Sequence, residues 1–202
     1  MQVVLRAGLR TARGPVRAAE GVLSALAELD ERIGEVFLEA DEIRGRVREI
    51  GTELTQSYEG RDPLLVGSLK SCIPFLPDLS RSIRTHHHLD FIELAGYGED
   101  DDGIRFLKDL NVEIEARDVV LVDAVIDTGL TMHYLVRSLA IRNPASLHIA
   151  TLFDRPYRRL VDDLPVRYVG FTIPDEFFVG YGFELEERYR NLPDLRLVRS
   201  IV

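Results

Sequence analysis

The chain has 202 residues, 46% of them hydrophobic and 29% charged, which suits one globular domain with a sizeable core and leaves no room for a second of that size. A formal net charge of -9 and a pI near 5.1 argue against a nucleic acid or an anionic membrane as partner, so any phosphate recognition has to be local. One cysteine, Cys72, excludes an internal disulfide, and no apolar run reaches the roughly 20 residues that span a bilayer, so a reducing, cytoplasmic compartment is expected.

Residues 1–34 read as an N-terminal helical extension and residues 35–202 as the main domain. Arg6, Arg10, Arg13 and Arg17 precede the first acid, Glu20, a pattern shared with organelle transit peptides. Leu5, Leu9, Val16, Val22, Leu26 and Leu29 suit an amphipathic docking helix equally well, and the role of the segment stays open. Further on, Ile43, Val47, Ile50 and Leu54 recur at helical spacing, predicting a helix that ends near Tyr58-Glu59-Gly60 and covers one face of a sheet. Short apolar runs then predict strands at Leu64–Val66, Phe91–Leu94, Val119–Val122 and Leu147–Phe153. Pro74 and Pro77 predict that the helix between the first two of these strands starts after Pro77 or is kinked. Cys72 reads as a small buried residue rather than a reactive thiol. His86, His87 and His88 could suggest a metal site, but neighbours on an extended strand face opposite sides and do not converge on one ion.

Met132, Leu135, Val136, Leu139 and Ala140 form an apolar stripe from Thr131 to Ile141, directly after a strand and a glycine-containing turn. Strand, turn and helix in that order predict an α/β fold with a largely parallel sheet, whose ligands bind beyond the carboxyl ends of the strands. The turn reads Asp123-Ala124-Val125-Ile126-Asp127-Thr128-Gly129-Leu130-Thr131. A helix start offers free amides and a positive dipole end, so Thr128, Gly129 and Thr131 suit a phosphate cradle with Asp127 facing it as a proton donor or acceptor. On the turn alone, simple helix capping by Asp127 and Thr128 is an equal alternative.

The run Val120 to Thr131 is similar to the phosphoribosyl-pyrophosphate (PRPP) signature of type I phosphoribosyltransferases. Further segments resemble bacterial hypoxanthine-guanine phosphoribosyltransferases along about Val36 to Val198: Tyr58 to Gly67 with Leu69-Lys70, Leu107 to Leu110, Tyr168 to Phe177, Val179 to Gly182 and Arg188 to Leu192. The resemblance implies a mostly parallel twisted sheet flanked by helices, with a small hood. It also implies transfer of the 5-phosphoribosyl group of PRPP to hypoxanthine or guanine, with Mg2+ and release of pyrophosphate, in a dimer or tetramer. By that match Asp127 is the acid/base partner of the purine N7, and Asp127, Thr128, Gly129, Leu130 and Thr131 hold the 5′-phosphate. Asp123 meets the ribose; Leu69, Lys70 and Ser71 form the pyrophosphate loop; Arg159 and Arg190 serve the phosphate side. Ile126, Arg155, Phe177 and Phe178 surround the base, and Glu184 is the metal carboxylate.

Several of those positions depart from the family pattern. Ala124 stands where a second ribose acid is expected, a missing hydrogen bond worth roughly 1.5–3 kcal/mol. Ser71 replaces a glycine, Arg155 a lysine that meets the purine 6-oxo group, and Glu184 an aspartate. Arginine keeps charge and donors but directs a larger planar fork, so the accepted base is open to change. Ala95-Gly96-Tyr97-Gly98 and the acidic Glu99 to Asp102 occupy a catalytic loop that is shorter than in the family. The departures keep two alternatives in view: a paralogue acting on a modified purine such as a 7-deazapurine, and a non-catalytic PRPP or nucleotide sensor.

Overall fold

A computed structural model describes residues 30–95 and 104–199. The expected helix within residues 1–34 and the acidic lid at 99–102 lie outside the described residues, apart from the last few of the former. Those last few are not helical: Ile33 and Gly34 already belong to the first strand, β1 (Ile33–Leu38).

Helix α1 (Ala40–Ser57) buries Ile43, Val47, Ile50 and Leu54, as the periodicity predicts, and ends at Tyr58. Its start is closed by Glu42, whose carboxylate accepts the Glu39 amide at 2.9 Å. Strand β2 (Leu64–Ser68) follows, then α2 (Cys72–Ser82). This helix begins well before Pro77, which overturns the later start, one of the two alternatives expected from the prolines. Pro74 falls in the first turn, where its missing N–H is one of the unpaired donors anyway, and Pro77 is accommodated inside the helix. Gly51 lets α1 approach α2: a Cβ there would lie 2.5 Å from the Ser82 Cβ.

Strands β3 (His88–Ala95) and β4 (Arg105–Lys108) lead to β5 (Asp118–Ile126), helix α3 (Leu130–Ala140), β6 (Ser146–Asp154) and β7 (Val166–Thr172). They form a six-stranded sheet of order β4-β3-β2-β5-β6-β7, parallel except for the β3–β4 pair. Alternation along the central strands supplies two cores. Leu65, Val120, Val122 and Leu152 face α1 and α2, whereas Leu64, Val66, Val119 and Leu121 face α3. A second sheet, the hood, has the order β1-β9-β8 and is antiparallel, with β8 at Phe178–Val179 and β9 at Leu195–Val198. This is an α/β architecture with a mostly parallel sheet, as the order of strand, turn and helix predicts.

Of the three histidines, only His88 is in a strand. It contacts Asp62 at 3.0 Å while His87 is bound to Ser80 and the Thr85 carbonyl, and no described group of three metal-ligating side chains converges. The Cys72 thiol is fully buried, which pushes its pKa up to about 12 and leaves it inert.

Candidate active site

Strands β2 and β5 end side by side, and a cleft of about 260 Å³ opens beyond them. Ser68, Leu69 and Ser71 line one wall, and Asp123, Ile126, Asp127, Thr128, Gly129 and Thr131 line the other. The topology creates this place. β5 is flanked by β2 on one side and β6 on the other, so the connections leave in opposite directions and part at its carboxyl end.

The turn that closes β5 is built around Gly129, which has a φ of 82° and sits as the N-cap of α3. A Cβ there would meet the Arg159 Cδ at 2.7 Å and the Val161 Cγ2 at 2.8 Å, so glycine is required twice over. No side chain at Gly129 covers the helix start, and the amides of the first turn are available to an anion. Thr128 takes a limited part in capping, its Oγ1 accepting the Leu130 amide at 3.5 Å. Asp127 does not cap: its Oδ1 lies 2.8 Å from the Arg158 Nε and 3.6 Å from an Arg155 Nη. That oxygen is enclosed between the two guanidiniums, so an incoming N–H donor reaches it only by displacing an arginine.

Arg155 is itself buried, bonding Asp175 at 2.7 Å and the Glu176 carbonyl at 2.9 Å, with its Nε unpartnered. Arg158 bonds the same Asp175 oxygen at 2.8 Å. Two arginines and two aspartates thus alternate around one corner of the cleft. Arg158 and Asp175 were not among the residues singled out from the sequence. Their signal was the clustering of Arg155, Arg158 and Arg159 on one short turn. Nearby, Phe177 is 77% exposed, whereas Phe178 is buried against Phe37, with ring centroids 5.1 Å apart. Arg159 reaches Asp154 and keeps a buried, unpartnered Nε.

Asp123 is nearly enclosed, and burial pushes its pKa up to about 6 despite a hydrogen bond from Ser71. The serine that replaces the expected glycine therefore reaches the acid that remains at the strand end. Ala124 points the other way, into the core, and is fully buried. Gly182 closes over it: a Cβ on Gly182 would stand 2.7 Å from the Ala124 Cβ and 2.5 Å from the Ser71 carbonyl. A carboxylate at 124 has no room in this packing, which gives the missing second acid a steric counterpart.

The peptide Leu69–Lys70 is cis. Across from it runs the loop Tyr181–Arg190, in which Tyr181, Glu186, Glu187 and Tyr189 all have positive φ. Tyr181 anchors the loop to α2 through Asp78 at 2.7 Å, and Tyr189 to Asp30 at 2.6 Å. Arg190 donates to the Gly182 carbonyl at 2.9 Å, and its guanidinium approaches Glu187 at 3.2 Å and Glu184 at 3.9 Å. Glu184 accepts the Glu187 amide. The loop also contacts the pyrophosphate-loop candidate, through Lys70 and Glu187.

A family model described as the phosphoribosyl transferase domain matches residues 37–186 of this chain. The chain belongs to that family and, within it, to the hypoxanthine-guanine phosphoribosyltransferases. It is similar to the hypoxanthine-guanine phosphoribosyltransferase of Bacillus subtilis (strain 168), 39% identical over 173 residues that cover 84% of this chain and 96% of that protein. A Listeria monocytogenes protein named bifunctional protein TilS/HprT is 41% identical over 170 residues, which are 83% of this chain but 26% of the relative, so the chain spans about a quarter of that longer protein. Among solved structures, a hypoxanthine-guanine phosphoribosyltransferase from Bacillus anthracis superposes with a TM-score of 0.78 at 36% identity, covering 83% of this chain and 99% of that one.

Proposed function

We propose that this chain transfers the 5-phosphoribosyl group of PRPP to a 6-oxopurine, hypoxanthine or guanine, with release of pyrophosphate. The observation that carries the reading is the Asp123–Thr131 turn, where the start of α3, with no side chain on its N-cap glycine, and the Asp127 carboxylate line one cleft. The helix-start amides and the Thr128 and Thr131 hydroxyls suit the 5′-phosphate. Asp127 then lies within reach of the purine N7 and takes or returns its proton as the bond to the anomeric carbon forms. Its Oδ1 is held between two guanidiniums, so a base must exchange with Arg158 to reach it. Arg155 is the residue assigned to the base edge, Phe177 offers an exposed ring for stacking, Ile126 lines the cleft, and the Phe178 backbone is assigned to the same pocket. Asp123, with Ser71 already on it, meets the ribose. Leu69, Lys70, Ser71, Arg159 and Arg190 serve the pyrophosphate and phosphate oxygens.

Mg2+ fits the donor set in the manner usual for that ion, through one carboxylate together with substrate oxygens and water. Glu184, partly exposed in the C-terminal loop beside Arg190, is the residue that would hold it. When bound, the metal neutralises charge on the departing pyrophosphate. Assembly as a homo-oligomer, a cytoplasmic location, and a transferase domain at 35–202 preceded by a separate N-terminal segment belong to the same reading. Among the described residues, no helix is long and apolar enough to cross a membrane.

The test is pyrophosphate release from PRPP with Mg2+ across hypoxanthine, guanine, xanthine, adenine and a 7-deazaguanine. Release with hypoxanthine or guanine is expected. Release with the deazapurine alone replaces this reading with a specialised paralogue, for which the buried, Asp175-bound Arg155 gives a structural motive. Silence with every base despite PRPP binding makes the chain a sensor.

A further inference from the structure

Glu187 lies between Lys70 and Arg190, the two cations given to pyrophosphate in the phosphoribosyl-transfer reading, and the role inferred for it rests on that reading. Its Oε2 accepts from the Lys70 Nζ at 2.8 Å and its Oε1 from an Arg190 Nη at 3.2 Å. One carboxylate thus bridges the loop after β2 and the loop before β9, with its two oxygens placed on the donors that phosphate oxygens need. We propose that Glu187 acts as an internal competitor for pyrophosphate, setting how tightly this end of the cleft holds PRPP and how readily it lets the product pyrophosphate leave.

Three observations support the assignment. The side chains of Lys70 and Glu187 are 53% and 62% exposed, and ion pairs at that exposure are weak and readily exchanged. The two oxygens of Glu187 are divided between the two cations, so one carboxylate occupies both donors at once. Its position is also imposed from elsewhere. Glu186, Glu187 and Tyr189 have φ of 55°, 62° and 70°, a bend that is fastened by Tyr189 to Asp30 at 2.6 Å and by Arg32 to Glu186 at 3.0 Å. A phosphate that takes over Lys70 and Arg190 therefore leaves Glu187 close by, where like charge opposes the ligand. A 5′-nucleotide without a pyrophosphate group escapes that opposition.

The experiment is calorimetric titration of the full chain and of Glu187→Gln with inorganic pyrophosphate, PRPP and inosine 5′-monophosphate, each with Mg2+. Glutamine keeps the shape and removes the charge. Pyrophosphate and PRPP should bind about three- to ten-fold tighter to the variant, the size expected for removing one exposed charge a few ångströms away, while the monophosphate changes less than about two-fold. Glu187→Ala should repeat the pattern. Unchanged or weaker pyrophosphate binding overturns the proposal, as does equal tightening of all three ligands, which would mean a general effect on the loop. If the unmodified chain binds neither pyrophosphate nor PRPP, the transfer reading itself falls and takes this inference with it.

Discussion

The two loops that meet over the cleft are built on different principles. The turn Asp123–Thr131 joins a buried parallel strand to a helix, and its single unusual backbone position, Gly129, carries the residue that suits it. The loop Tyr181–Arg190 has four non-glycine residues in the left-handed region and no regular element of its own beyond isolated bridges. Side chains hold it instead, through Asp78, Asp30, Arg32 and Lys70. The first loop is shaped by local conformational preference and by the paired strand it continues. The second is shaped by contacts with distant residues, so its geometry responds to charge, and the ligand that binds there brings charge.

Substitutions can break that contrast at chosen points. The largest effect is expected at Asp127, where the scaffold survives and the chemistry does not. Asp127→Asn should lower turnover by roughly 100- to 10,000-fold, the range for losing a positioned acid/base, while PRPP affinity by titration stays within a few-fold. Unchanged turnover would remove Asp127 from that role. Next is the joint between the two loops. Ala124→Asp inserts a carboxylate into a core position closed by Gly182, and should lower stability by about 2–4 kcal/mol in denaturant unfolding. An undiminished midpoint with tighter PRPP binding would show that the C-terminal loop swings aside to make room.

The smallest expected effect is graded with pH. Asp123 has a folded pKa of about 6 against 3.8 for a free aspartate, because burial disfavours its charge. The folded chain therefore binds this proton more tightly than the unfolded one, so the group's contribution to stability is greatest at low pH and declines as pH rises from 3.8 through 6. Ligand binding runs the other way, since a ribose hydroxyl donates best to the ionised carboxylate. PRPP affinity should weaken by up to about ten-fold per pH unit below that pKa, and Asp123→Asn should flatten the dependence. A profile for Asp123→Asn that parallels the native one assigns the titration to another group.

Legibility in the sequence divided along the same line. Helices α1 and α3 and strands β2, β3, β5 and β6 were readable because their apolar periods match the faces they bury. The start of α2 was misplaced because Pro74 was weighed as a breaker, whereas a first-turn proline removes a donor that has no partner in any case. In the cleft, local order located the β5 turn at the carboxyl end of a parallel strand. On the turn alone, capping by Asp127 and Thr128 was an equal reading, and the family resemblance decided between them. Glu187, Arg158 and Asp175 were not readable, since their positions depend on pairs separated by 117 residues for Lys70 and Glu187 and by 17 for Arg158 and Asp175. Spacing along the chain does not encode which surface charges come to face each other. Ala124 read as a deletion of function, and only the packing of Gly182 revealed the steric side of that change.

The hood has a consequence for synthesis. Among the described strands, β1 is hydrogen-bonded to β9 and not to any strand made soon after it, so this pairing waits until the intervening chain has been produced. Chains emerge and fold from the N-terminal side, which lets the parallel sheet and the phosphate turn form first. The ring of Phe178 packs on Phe37 of β1, and among the described strands β8 pairs only with β9. The wall assigned to the purine in the proposed function is therefore the last part of the cleft to be completed, and a nascent chain stalled before Leu195 would carry the β5 turn without its finished hood.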